Sequence, residues 1–179
     1  MAAGHCDNNE RKAVLFYLGQ ATDVAGRTID DILSWNDLRL EGSHDYIQWL
    51  FPLQNRSAYN AFAPIISTEE IETFRNSNNL KAKLKESFVR LLNFYGFELQ
   101  EAGSGPVVEY SNDFKSKSEN WLTLYNHNHL RITRILKSLS ILGLKKYADA
   151  FMKRLEDVYS KHPQMIGAEA LNYWREAVS

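Results

Sequence analysis

Residues 130–155 constrain the fold more than any other stretch. In LRITRILKSLSILGL the side chains of Ile132, Ile135, Leu136, Leu139 and Leu142 recur at three and four. At about 100° per residue this spacing gathers them on one broad helix face. Leu130 and Ile141 point nearly opposite, so the helix is apolar on two sides and is expected to be central. A strand would alternate at two and could not hold this pattern on one face. Gly143 then acts as a sharp hinge into a further helix at about 144–160. A chain built around such a helical pair has to bury it against more helices.

The same spacing recurs elsewhere. Helices are expected at about 11–18, after Thr28 (with Ile29, Ile32, Leu33 and Leu38), over the short stretch EGSHDYIQWLF, from 68 through Phe74, from about 78 to 94, and at about 113–125 and 165–177. Ser67-Thr68-Glu69-Glu70 reads as a capping box, in which hydroxyl and carboxylate each satisfy the other's backbone N–H. Gly96 closes the longest helix. Short strands fit only at 97–99 and 107–109, about the turn formed by Gly103, Gly105 and Pro106. PLQNRSAYNAFAP reads as a loop laid over the core, carrying Tyr59 and Phe62.

The fold class is therefore all-α. The expectation is one compact multi-helix domain at 11–179, with at most one small β-hairpin near 97–110 and a flexible N-terminal tail at 1–10. With 44% hydrophobic residues, 179 residues can supply one such core.

The formal net charge is -1, which argues against a chain that binds nucleic acid through its overall charge. The charge is uneven. Residues 115–161 hold ten Lys or Arg against four acids, which leaves 11 against 18 elsewhere. This reads either as a basic half packed on an acidic half or as a basic ligand face. Cys6 is the single cysteine, so no internal disulfide forms and a reducing, cytoplasmic location is expected. The apolar run AVLFYL is far short of the ~20 residues that span a bilayer, so peripheral membrane association is the most that is expected.

The letters H-N-H at 127–129 are not a nuclease motif, because they are adjacent and open a helix. They are also a poor metal site. His127 and His129 are two apart, whereas ligand pairs on a helix sit at i, i+3 or i, i+4. No metal or other cofactor is expected, and no catalytic residue: G-x-S-x-G, a phosphate-binding glycine loop and HExxH are all missing.

His127, Arg131, Arg134 and Ser138 form a stripe between the two apolar sides of the helix. A partly buried guanidinium needs a carboxylate or several carbonyls. Taken as one helix, EGSHDYIQWLF places Glu41, Asp45, Gln48 and Trp49 on one polar-to-aromatic stripe, with His44 beside it. Asp45 or Glu41 is the expected partner of Arg131 or Arg134. The cluster Glu41, His44, Asp45, Trp49, His127, Arg131 and Arg134 is thus either a fold-defining ion pair or the lining of a ligand pocket. Arg154, by contrast, is expected on a solvated helix face.

SHDYIQWLFPL, NFYGFEL and HNHLRITRILKSLSILGL, in that order, resemble the signature segments of the opioid growth factor receptor conserved region. The TxxEIETF segment and ALNYWREAV are also similar. The resemblance runs from about Leu15 to the C-terminus. It implies a receptor-like binding module for a peptide of the Met-enkephalin type, or a protein partner, in a family whose vertebrate members act at the nucleus. A peptide with a free amine and aromatic rings needs a carboxylate and an apolar cleft, which Asp45 and Trp49 could supply, with Arg131 for the peptide's own carboxylate. Two readings stand beside it. One is an enzyme or small-ligand protein with an internal pocket. The other, less favoured, is a nucleic-acid binder using the basic segment.

Overall fold

A computed structural model of the chain describes residues 11–58, 60–103 and 105–179. The expected tail at 1–10 lies outside the described residues, as does Tyr59. The described residues form eleven helices and one two-stranded antiparallel sheet. They fall into two compact units, one running to Leu80 and the other from Lys81 to Ser179.

The first unit opens with α1 (Lys12–Tyr17) and ends in α5 (Thr68–Asn76), and these two pack together. The capping box at Ser67 and Glu70 forms as expected. Ser67 Oγ accepts from the Glu70 N–H, and Glu70 Oε2 accepts from the Ser67 N–H. Glu70 does more than cap its own helix. It is buried, and its Oε1 accepts from the Val14 N–H at 3.3 Å, satisfying a free donor at the start of α1. Tyr17 meets Phe74 edge-on at 4.9 Å and donates its hydroxyl to the Leu50 carbonyl.

Between them run α2 (Ile29–Leu33), α3 (Asp37–Gly42) and α4 (Ile47–Leu50). Thr28 and Asp31 form a second capping box. Leu38, expected on the apolar face of the second helix, instead sits at the start of α3 and is 82% exposed. In the loop after Pro52, Phe62 is 71% exposed, so that ring does not cover the core.

The helix α6 (Asn78–Tyr95) leads into the second unit. Gly96 ends it at φ +88°, and a Cβ there would stand 2.8 Å from the Phe114 Cα, so glycine is required twice over. The strands are β1 (Phe97–Ala102) and β2 (Gly105–Tyr110), with Phe97 opposite Tyr110 and Leu99 opposite Val108. The hairpin is longer than its sequence signal.

Then come α7 (Phe114–Ser118), α8 (His127–Ile141), α9 (Lys145–Lys161), α10 (Pro163–Ile166) and α11 (Ala168–Val178). α9 packs on α8, α11 and β2, and α8 packs on α11. The predicted α8 face is the core: Ile132, Ile135, Leu136, Leu139 and Leu142 are all 0% exposed. Its second apolar side is not buried, since Leu130 is 51% exposed. The single helix expected at 165–177 is split at Gly167, whose φ of +82° no helix accepts.

Candidate functional site

The expected polar stripe on EGSHDYIQWLF does not form. Glu41 and Gly42 end α3, the backbone extends at Ser43, and a helix restarts only at Ile47. Asp45 therefore precedes α4 and does not share a helix face with Trp49. The short helix also has no solvated side: Ile47, Gln48, Trp49 and Leu50 are all buried. Glu41 is half-buried and His44 is exposed.

Asp45 has a partner that the sequence reading missed. Arg27 Nη1 donates to Asp45 Oδ1 at 3.1 Å, and Nη2 stands 3.1 Å from Oδ2, a two-pronged arrangement. On its other edge, Arg27 Nε donates to Asp23 Oδ2 at 2.5 Å. Asp23 Oδ1 accepts from the Ala25 and Arg27 N–H groups, both at 2.9 Å, folding 23–27 into a tight loop with Gly26 at φ +77°. Burial works against the Arg27 charge, but hydrogen bonds and charge from Asp23, then from Asp45, outweigh it, and the Arg27 pKa is raised. The guanidinium also lies 5.2 Å from the Trp35 ring, on which Arg39 stacks at 4.2 Å.

Beside this loop is a cavity of about 370 Å3, lined by Lys12, Leu15, Gln20, Ala21, Thr22, Asp23, Val24 and Trp49. Its volume falls in the range of small-ligand sites. Trp49 is 3% exposed and packs on Phe16 at 5.2 Å. Its Nε1 is shut off from solvent and has no acceptor among the described residues.

The remaining predicted residues, His127, Arg131 and Arg134, lie on α8 in the second unit. Asn126 caps the helix by accepting from the Asn128 N–H at 2.9 Å. His127 is exposed. Arg131 is 5% exposed, as a stripe between apolar faces requires, and its Nη1 donates to Asn128 Oδ1 at 3.2 Å. Arg134 is half-buried, and burial lowers its pKa. His129 is a structural residue. Its Nε2 donates to the Trp121 carbonyl at 3.0 Å, and its own carbonyl accepts from Trp174 Nε1 at 3.0 Å. Burial lowers the His129 pKa, against a rise from the Trp121 carbonyl.

Arg154 is not on a solvated face. Nε donates to the Val108 carbonyl at 2.8 Å, Nη2 to Glu109, and Nη1 to Asp157 at 3.1 Å, while the guanidinium sits 4.7 Å from the Tyr110 ring. It clamps the hairpin to α9. Among the described residues no group of three or more His, Cys, Asp or Glu could hold a metal, and no helix is long and apolar enough to cross a membrane.

A family model described as the opioid growth factor receptor conserved region matches residues 6–179. The opioid growth factor receptor of Rattus norvegicus is 39% identical over 158 residues, 86% of this chain and 27% of that protein. The opioid growth factor receptor of Homo sapiens is 36% identical over 158 residues, 86% of this chain and 23% of that protein. The opioid growth factor receptor-like protein 1 of Xenopus tropicalis is 35% identical over 134 residues, 72% of this chain and 25% of that protein. The chain thus spans about a quarter of the length of the curated relatives it matches. No solved structure matches it. With matched segments that include the α4 stretch, the hairpin and the whole of α8, this chain belongs to the opioid growth factor receptor conserved-region family.

Proposed function

We propose that the chain is a receptor-like binding module for a short peptide, and that the peptide enters the cavity lined by Lys12, Leu15, residues 20–24 and Trp49. The observation that carries this reading is the cavity itself. It is large enough for a ligand group, has apolar walls in Leu15, Ala21 and Val24, and offers convergent polar groups in Lys12, Gln20 and Thr22. The names of the relatives point to a peptide growth factor as the ligand class. The sequence-based anchor for a peptide amine, Asp45, is already paired with Arg27, which supports the cavity over Asp45 as the place to look for the ligand.

A nucleic-acid face finds less support. Within the basic segment, Lys145, Arg154 and Lys161 each stand in an ion pair with a nearby acid, which lowers the positive field available for phosphates.

Isothermal titration with an enkephalin-type pentapeptide tests the reading. Wild type gives heat and saturates. Thr22→Trp, which fills the cavity from an exposed position, abolishes binding at an unchanged melting temperature. An absence of heat at millimolar peptide would end the peptide assignment for this chain.

A further inference from the structure

The hairpin of β1 and β2 has two outer edges, and the two are not alike. Which backbone groups point outward follows from the register. At the open end of the hairpin the Ser111 N–H donates to the Gly96 carbonyl at 3.0 Å, so Gly96 and Ser111 are a hydrogen-bonded pair. In an antiparallel ladder bonded and non-bonded pairs alternate. Phe97–Tyr110, Leu99–Val108 and Glu101–Pro106 are therefore non-bonded pairs, and their N–H and C=O groups face away from the partner strand.

On the β2 side this outward row is blunted. Pro106 has no N–H to offer, the Val108 carbonyl accepts from Arg154 Nε at 2.8 Å, and α9 packs on β2. On the β1 side the N–H and C=O groups of Leu99 and Glu101 have no partner among the described residues. Backbone groups shut off from water are almost always paired, and Glu98, Gln100 and Glu101 are exposed, so this row faces solvent. An open edge of this kind is a template for one more strand.

Side chains decide which strand fits. Along β1 they alternate between the two faces of the hairpin. Glu98 is exposed, accepts from Gln100 Nε2 at 3.1 Å, and stands directly across from Glu109. Glu109 is matched by Arg154, and Glu101 by Lys85 at 2.8 Å. Glu98 is left as an acid with no ion pair among the described residues. On the opposite face Leu99 is half-buried, so part of its side chain stays open.

We infer that the β1 edge binds an extended basic segment of a protein partner as a third strand. The backbone of that segment pairs with the N–H and C=O groups of Leu99 and Glu101. A lysine or arginine meets Glu98, and the apolar residue next to it covers Leu99. A second copy of this chain fits less well, because its own β1 would bring a further Glu98 to the same edge, and like charges on neighbouring strands repel. The inference is independent of the cavity in the first unit.

The probes are three capped pentapeptides. Lys-Val-Lys-Val-Lys has the inferred pattern, Glu-Val-Glu-Val-Glu reverses its charge, and Lys-Pro-Lys-Pro-Lys keeps the charge but removes the N–H that faces Leu99. Binding is followed by the backbone amide signals of the full chain in nitrogen-edited NMR. Lys-Val-Lys-Val-Lys shifts the Leu99 and Glu101 amides and slows their exchange with water, while the Glu98 and Gln100 amides, already bonded to β2, keep their exchange rates. The acidic peptide binds roughly fivefold weaker, and the proline peptide does not protect Leu99. Glu98→Lys, a change at an exposed position, reverses the order of the two charged peptides without lowering the melting temperature. No amide shift at millimolar peptide, shifts centred outside β1, equal protection by all three peptides, or an order that Glu98→Lys leaves unchanged overturns the inference. Leu99 and Glu101 amides protected without any peptide, together with a dimer's mass in analytical ultracentrifugation, also overturn it and name a second copy as the occupant.

Discussion

Arg27→Ala is expected to be among the more damaging single substitutions in the first unit. The Asp23 side chain is 0% exposed and that of Arg27 is 17% exposed. Truncating the arginine leaves a carboxylate inside the protein without its counter-charge. Breaking a buried pair from one side costs about 3–5 kcal/mol. The lower end applies here, because Asp23 Oδ1 keeps both of its backbone N–H donors. Loss of the contact with the Trp35 face adds about 0.5 kcal/mol. Asp45→Asn breaks the other half of the same arrangement, but the Asp45 side chain is 48% exposed and water replaces the lost partner. Its cost is at most about 1 kcal/mol.

Urea unfolding followed by far-UV circular dichroism measures both, with a shift in midpoint at constant slope read as a change in stability. In thermal melts, a loss of about 3 kcal/mol corresponds to roughly 6–12 °C for a chain of this size. The reasoning is refuted if Arg27→Ala stays within about 0.5 kcal/mol of wild type, or if Asp45→Asn is as damaging.

Two further outcomes follow from the second unit. Arg154→Ala removes the donor to the Val108 carbonyl and both carboxylate contacts, so it should cost about 1–3 kcal/mol and speed amide exchange in β1 and β2, while Lys153→Ala, on an exposed neighbour, changes neither. His129 is neutral and buried, with a folded pKa below its ordinary 6.5. The unfolded chain therefore binds the proton more readily, and stability contributed by this group is complete above about pH 6.5 and falls as the pH drops toward the folded value. His129→Gln should flatten that part of the stability profile, and an unchanged slope between pH 5 and 6.5 would count against the assignment.

Local signals were legible and long-range ones were not. The Ser67–Glu70 box, the Gly96 stop and the buried face of α8 depend on neighbours within a turn, and each lies where its pattern places it. The α4 stretch failed for a physical reason. Every residue from Tyr46 to Pro52 is buried, so no polar side remained to reveal where the helix began, and the interruption at Gly42 and Ser43 was read through. Asp23 and Arg27 did carry a signal, an Asp three residues before a Gly in DVAG, which favours a side-chain-capped turn. What joins Arg27 to Asp45 is tertiary, 18 residues apart. Arg154 had no local mark at all, since two of its partners lie on β2, 45 and 46 residues away.

The uneven charge of the chain has a local explanation in these pairings. Arg154 is neutralised by Glu109 on the hairpin and Asp157 on its own helix, Lys161 also reaches Asp157, Lys145 reaches Asp149, and Lys85 reaches Glu101. Hydrogen bonds from Lys161 and Tyr110 hold the Asp157 pKa down at about 2. In the first unit Arg27 is shared by Asp23 and Asp45. A charge already matched in this way has little to offer a ligand, because binding would first have to break the internal pair. By that criterion Asp45, the anchor expected from the sequence, is a weak one, because its carboxylate already holds the Arg27 guanidinium.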